Sequence, residues 1–243
     1  MGMRFIRLLR DLLFVPQCAG CGRRLPPNAP ILCDACASRY ALAKDEICLA
    51  CGHVISSCSC SGNALETHGV KKLYKLFRYH PRDTESVQNR MLYLLKHRAM
   101  RGVVAFFAKE LAERLDDKAV GDKAALLITY APRSRAAVKR WGFDHMELLA
   151  RALAEELGAE FAPLLARRKG REQKKRHGIG ARYANMKSAF SYVGGASLEG
   201  RRIVLLDDIS TSGATLSSAA KLIRRHGGRR IVFLVLGVTL RES

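Results

Sequence analysis

Cysteine is missing from most of this chain. All eight cysteines of the 243 residues lie between Cys18 and Cys60, and none follows. That clustering, in a chain with no secretion signal, argues against a disulfide-stapled secreted fold. Acidic residues are also scarce: 22 Asp+Glu face 42 Lys+Arg, for a formal net charge of +20. A field of that sign attracts phosphates, whether on nucleic acid, nucleotides or anionic lipid, and does not by itself choose among them. Long apolar runs are lacking too. The longest, Ala124–Ile128 and Ile231–Val238, fall far below the ~20 residues of a membrane helix. The opening MGMRFIRLLRDLLFV is broken by Arg7, Arg10 and Asp11 and has no clear signal-peptide core, so a cytoplasmic address is expected. Apolar residues nonetheless make up 48% and are spread along the chain. They predict a packed core, with room for one ordinary domain and a small appendage.

The cysteines come as Cys18/Cys21, Cys33/Cys36, Cys48/Cys51 and Cys58/Cys60, three C-x-x-C pairs and one C-x-C. Two thiolates so spaced can turn onto one tetrahedral ion, and two pairs complete a four-sulfur site. Gly20, Gly22 and Gly52 stand where tight knuckles need unusual dihedrals. Eight ligands imply two structural zinc ions. The pairs are expected to combine either adjacently or interleaved; spacing leaves both open. His53 reads as a surface residue beside the third pair. Residues 1–61 are therefore expected to form a cysteine-rich zinc-binding domain whose folding energy comes largely from metal. Residues 62–243 form the second domain.

In that second part strand and helix patterns alternate. Lys72–Tyr79 reads as a strand with apolar residues on both faces, hence inside the fold. Thr84–His97 and the segment around Val103, Phe107, Leu111 and Leu115 show helical spacing. Ala124–Tyr130, Ile203–Ile209 and Ile231–Val238 read as strands, Asp144–Leu157 and Thr215–His226 as helices. Such alternation predicts a parallel α/β sheet with flanking helices, whose ligands sit beyond the carboxyl ends of the strands.

One stretch carries chemistry. In IVLLDDISTSGATL, Ile203–Leu216, an apolar strand delivers Asp207 and Asp208, and a small hydroxyl-rich turn then opens a helix. Such a turn offers convergent N–H groups and hydroxyls to a phosphate, and Gly213 lets the backbone come close. The two carboxylates suit a ribose diol, or a sugar bound with magnesium. The bland alternative is a Ser/Thr helix cap. The string has neither the Gly-Lys-Ser/Thr ending of an ATPase loop nor G-x-G-x-x-G.

IVLLDDISTSGAT resembles the ribose-phosphate signature of type I phosphoribosyltransferases. With the cysteine head in front, the chain resembles the ComF family of competence-associated proteins over nearly its whole length. RWGFDHMELLARALAEELG and REQKKRHGIGARYANMKSAF are similar to that family as well. The resemblance implies that Asp207 and Asp208, the catalytic candidates, hold the ribose hydroxyls of phosphoribosyl pyrophosphate, with magnesium accompanying the ligand. It implies that Thr211, Ser212, Gly213, Ala214 and Thr215 wrap the 5-phosphate. Pro132, Arg133 and Ser134, after Ala131, would form the pyrophosphate loop. Gln173 and Arg182 would belong to a flap spanning Arg167–Arg182. The sequence departs from the family at Gly142-Phe143-Asp144-His145, often Gly-Phe-Asn-Gln, and at Thr129-Tyr130-Ala131.

The run RRKGREQKKR, Arg167–Arg176, holds seven bases and one acid without an aromatic. It reads as a solvated loop or as a phosphate-contacting flap. Any DNA contact there would be electrostatic and salt-dependent. Two functions are expected, the first favoured by the resemblance and the second by the chemistry of the site. One is an accessory role in DNA uptake, with a bound ribose phosphate (phosphoribosyl pyrophosphate or ribose 5-phosphate), single-stranded DNA and a competence helicase as partners. The other is phosphoribosyl transfer to a nucleobase-like acceptor.

Overall fold

The computed structural model describes residues 15–61, 63–168 and 189–239. Gln173, Arg182 and nearly all of the basic run lie outside them. The described strands, in chain order, are β1 (Tyr74–Arg78), β2 (Leu126–Tyr130), β3 (Glu160–Phe161), β4 (Leu165–Arg167), β5 (Phe190–Tyr192), β6 (Arg202–Ser210) and β7 (Arg230–Val238). The helices are α1 (Asp34–Lys44), α2 (Asn63–Glu66), α3 (Val87–Arg98), α4 (Arg101–Arg114), α5 (Asp117–Val120), α6 (Arg135–Trp141), α7 (His145–Leu157) and α8 (Ala214–Arg225).

Five strands form one sheet in the order β1-β7-β6-β2-β3, every pair parallel. Strands β4 and β5 form a separate antiparallel ribbon, with Arg167 opposite Phe190. Side chains alternate across β6. Val204 and Leu206 join Phe77, Met91, Phe107 and Leu149 in the core on one face. Ile203 and Leu205 join Leu127, Leu216, Ile223 and Val235 in the core on the other. This is the period of two that a doubly covered strand requires. Each wholly buried Leu, Ile or Phe adds roughly 1.5–3 kcal/mol of transfer free energy.

The helix limits follow local chemistry. Asp144 caps α7 by accepting from the Met146 N–H at 3.0 Å. Ser134 caps α6 by accepting from the Ala137 N–H at 3.2 Å. Helix α7 stops at Gly158, which adopts a left-handed φ of 65°. The expected strands and helices are all present, shifted by a residue or a few at their ends.

Strand β1 is buried, as its two apolar faces require, and it stands at the edge of the sheet. The cysteine head covers its open side. Cys60 bridges Lys72 in antiparallel fashion, and the Leu73 N–H donates to the Ser59 carbonyl at 2.8 Å. The head is also shared between the two cores. Cys18 and Cys36 pack in the first, and Cys48 and Cys58 in the second.

Candidate functional site

The chain turns one way from β2 to β3 and the other way from β6 to β7. The switch point therefore lies between β2 and β6, where an open parallel sheet leaves a crevice beyond its strand ends. A cleft of about 250 Å³ lies there. Ala131, Pro132 and Arg133 enter it from β2, Asp207, Asp208 and Ile209 from β6, and Thr215 from α8. The structure thus brings together both carboxylates, two members of the expected pyrophosphate loop and the last residue of the small turn. Thr211 and Ser212 are exposed and do not line the cleft, and Ser134 is occupied as a helix cap. Strand β6 also runs past the carboxylates to Ser210, so the pair lies within the strand and not at its end.

The two carboxylates sit in opposite environments. Asp208 Oδ2 lies 2.9 Å from Lys96 Nζ and 3.0 Å from His145 Nε2, and its Oδ1 accepts from the Ile209 N–H at 2.5 Å. Burial pushes its carboxyl up, but the His145 hydrogen bond and the Lys96 ammonium outweigh burial and hold it well below the usual carboxylate range. Asp207 has no such cation in contact among the described residues. Burial, and then the charge of Asp208, raise it to about 8, although its Oδ1 accepts from the Asp208 N–H at 2.9 Å. The two neighbouring carboxyls are thus pushed in opposite directions, Asp207 up and Asp208 down.

Lys96 and His145 were not among the sequence candidates. Lys96 lies in the basic last turn of α3, whose spacing reads as a core face. His145 is the first residue of α7, in the segment where the sequence departs from the family. That departure was the available signal. Asp144 beside it accepts from the Arg133 N–H at 2.8 Å and so ties α7 to the loop after β2.

Arg133 lines the cleft and also reaches α3. Its guanidinium donates to the Lys96 carbonyl at 2.7 Å, capping the end of α3, where Ala99 takes a left-handed φ of 45°. A non-glycine residue in that region costs on the order of 1 kcal/mol, and the capped helix end holds it.

The turn before α8 bears on the capping alternative. Its N-cap is Gly213, with φ 71°, and no side chain caps the helix. The hydroxyls of Ser210–Ser212 are thus not used as the helix cap. Gly213 is constrained by packing as well: a β-carbon there would stand 2.3 Å from Leu65 Cδ2.

The cysteines resolve into two adjacent tetrads, Cys18/Cys21/Cys33/Cys36 and Cys48/Cys51/Cys58/Cys60, each with its sulfurs within 4.8 Å of one another. The interleaved pairing is not adopted, and all eight thiols are free of disulfides. Close Sγ–Sγ distances run from 3.3 Å for Cys48/Cys60 to 3.9 Å for Cys21/Cys33. Four sulfurs tetrahedrally placed at ~2.3 Å from zinc would be roughly 3.8 Å apart, so both tetrads could hold such an ion. The Cys33 N–H donates to Cys18 Sγ at 3.3 Å, as a thiolate knuckle requires. His53 is exposed, outside the tetrad.

Residues 147–237 match the family model of the phosphoribosyl transferase domain. The chain carries a phosphoribosyltransferase-type α/β domain. The orotate phosphoribosyltransferase of Sulfurisphaera tokodaii is 44% identical over 41 residues, which are 17% of this chain and 21% of that protein. This chain thus spans about a fifth of that relative's length. Among solved structures, adenine phosphoribosyltransferase from Leishmania tarentolae is similar at 14% identity and a TM-score of 0.35, covering 62% of this chain and 74% of that one. Hypoxanthine phosphoribosyltransferase from Staphylococcus aureus is similar at 14% identity and a TM-score of 0.32, over 54% and 61%. No helix of this phosphoribosyltransferase-type chain is long and apolar enough, among the described residues, to cross a membrane.

Proposed function

We propose that the cleft binds the ribose-phosphate part of phosphoribosyl pyrophosphate, and that the protein is a ComF-like accessory factor in DNA uptake. The observation that carries the ligand is the juxtaposition of Asp207 and Asp208 with the uncapped start of α8 at the switch point of the sheet. Asp207 and Asp208 would meet the ribose 2- and 3-hydroxyls. The turn Thr211–Thr215 would take the 5-phosphate through its N–H groups, helped by the helix dipole. Magnesium accompanying the diphosphate would neutralise its charge. The two tetrads would hold zinc and give the head rigidity that so short a segment cannot draw from apolar burial.

Competence, single-stranded DNA, a helicase partner and a cytoplasmic address rest on the family resemblance and on the net charge of +20. The DNA arm has its own test. Neutralising Lys169, Arg171, Lys174 and Lys175 is expected to flatten the fall of single-strand affinity with salt, because fewer counterions are released on binding. An unchanged slope moves the contact elsewhere, and a parent protein that binds no strand at low salt ends this part of the reading.

A second reading is favoured by Asp207, whose carboxyl is raised to about 8 by burial and by Asp208. A carboxyl of raised proton affinity beside a ribose suits an active transferase, in which a cationic sugar centre forms as pyrophosphate leaves. The two readings share one ligand. Calorimetric titration with phosphoribosyl pyrophosphate and with ribose 5-phosphate tests it, and failure to bind either would end both readings. Release of pyrophosphate across a panel of nucleobases, measured next, separates an enzyme from a binding protein.

A further inference from the structure

Asp208 Oδ2 already meets two donors, Lys96 and His145, while Oδ1 accepts from the Ile209 N–H. A ribose hydroxyl that is to bond Oδ2 must therefore displace one of those two side chains. His145 is fixed at the first turn of α7, and its side chain is only 4% exposed. Lys96 is the mobile member. Its side chain is 29% exposed and reaches the cleft on an unbranched four-carbon stem, so swinging it out costs no packing of a buried ring.

The ligand needs a cation at the same place. The diphosphate of a sugar 1-diphosphate would lie on the side of the cleft formed by the loop after β2. The arginine of that loop, Arg133, is committed through its guanidinium to the Lys96 carbonyl and through its N–H to Asp144. Arg167 also lines the cleft, but its guanidinium lies over the Phe190 ring, 4.9 Å from the centroid. The same Arg133 bond anchors the turn that carries Lys96, so the lysine stem starts from a fixed point beside the loop.

We infer that Lys96 exchanges partners on ligand binding. In the free protein it neutralises Asp208. When a sugar 1-diphosphate enters, a ribose hydroxyl takes its place on Asp208 Oδ2, and the ammonium moves to the diphosphate. His145 stays and keeps Asp208 oriented and ionised throughout. Lys96 is then the residue that distinguishes a diphosphorylated ribose from a ribose 5-phosphate. It also keeps the empty cleft from carrying an uncompensated buried carboxylate, which would be costly. The inference rests on the ribose-phosphate reading above.

The test is an affinity ratio. Parent, Lys96→Met and Lys96→Arg are titrated by calorimetry with phosphoribosyl pyrophosphate, ribose 5-phosphate and inorganic pyrophosphate, with magnesium present. Thermal unfolding confirms that each variant is folded. Lys96→Met is expected to weaken phosphoribosyl pyrophosphate by about tenfold or more, as one lost charge-assisted contact implies. Inorganic pyrophosphate should weaken in parallel. Ribose 5-phosphate should bind at least as well as in the parent, because Asp208 no longer has a competitor. Lys96→Arg keeps the charge and should keep most of the preference for the diphosphate. Equal weakening of both sugar phosphates, or none, overturns the exchange while leaving the ribose-phosphate reading standing. If Lys96→Met does not fold, equal weakening of both sugar phosphates in Lys96→Arg overturns it instead. A parent that binds neither sugar phosphate removes the underlying reading and this inference with it.

Discussion

Leu65 occupies the space that a β-carbon on Gly213 would need, its Cδ2 standing 2.3 Å from that position. Leu65 belongs to α2, five residues beyond the last cysteine, and is buried. Gly213 caps α8 with φ 71°. The turn that opens the cleft is thus held from behind by the segment leaving the head.

Gly213→Ala meets two penalties at once, the left-handed dihedral and the collision with Leu65. A loss of about 2 kcal/mol is expected. Leu65→Ala removes the collision but opens a cavity, at roughly 2–5 kcal/mol. The double variant should lose less than the sum, by at least about 0.5 kcal/mol, because the alanine methyl enters the vacated space. Urea unfolding of the four proteins decides this. Strict additivity would mean that the two residues do not touch. Gly213→Asp would combine these steric effects with its charge, so loss of ligand in that variant alone cannot be credited to charge.

Asp207 and Asp208 should respond to substitution in opposite senses. Asp207 is raised to about 8 in the folded chain by burial and then by Asp208, with Lys96 and Arg167 acting the other way. A raised folded value means that the native state holds a proton the unfolded chain gives up. Stability from this group is then greatest below the ordinary carboxylate range and falls as pH rises towards about 8. Asp207→Asn should remove that fall and raise the melting temperature at pH 8 relative to pH 5. Asp208 is lowered, because His145 and Lys96 outweigh burial, so its stabilisation is present at neutral pH and lost only in acid. Asp208→Asn should therefore lower the melting temperature at pH 7. Melting curves from pH 5 to 8 check both, and the same sign for both substitutions at pH 7 to 8 would refute the division of roles.

Lys75 is the third test. It is 1% exposed, and its ammonium donates to the carbonyls of Cys60 at 2.7 Å and Cys58 at 3.2 Å. Arg114 adds a second cation, donating to the Cys58 carbonyl at 2.6 Å. A zinc ion with four thiolates carries a net charge of about −2, which these buried cations would offset. Lys75→Met keeps the volume and removes the charge. Chelator challenge should then strip one of two zinc ions faster, while the other, on the Cys18 tetrad, leaves at the parental rate. Elemental analysis of the parent should give two zinc per chain, and a chain with none would overturn the metal assignment.

The sequence made the framework legible because its strands and helices obey simple periods. Ile203–Ile209 and Ile231–Val238 alternate between two cores, and both appear as β6 and β7. The cysteine pairs announced tetrads but not their pairing, since spacing along a chain does not say which knuckles meet. The cleft was legible only from β6, the start of α8 and the loop after β2. Lys96 and His145 were missed because each lies on a helix whose pattern is dominated by core residues. Their role comes from where α3 and α7 end or begin relative to β6, which is a tertiary fact. Arg133 entered through the family resemblance, and its bond to the end of α3 is again a tertiary fact.

The covering of β1 by the head has a consequence for assembly. An open parallel sheet offers unpaired N–H and C=O groups along its outer strands, and these invite a second chain. Here β3 is only two residues long, a poor template, while the segment leading into β1 is met by the Cys60–Lys72 bridge and the Ser59 carbonyl. Metal loss that let this segment peel away would uncover both a strand margin and the buried ammonium of Lys75. On this geometry, chelated protein is expected to self-associate more readily than the metal-loaded chain.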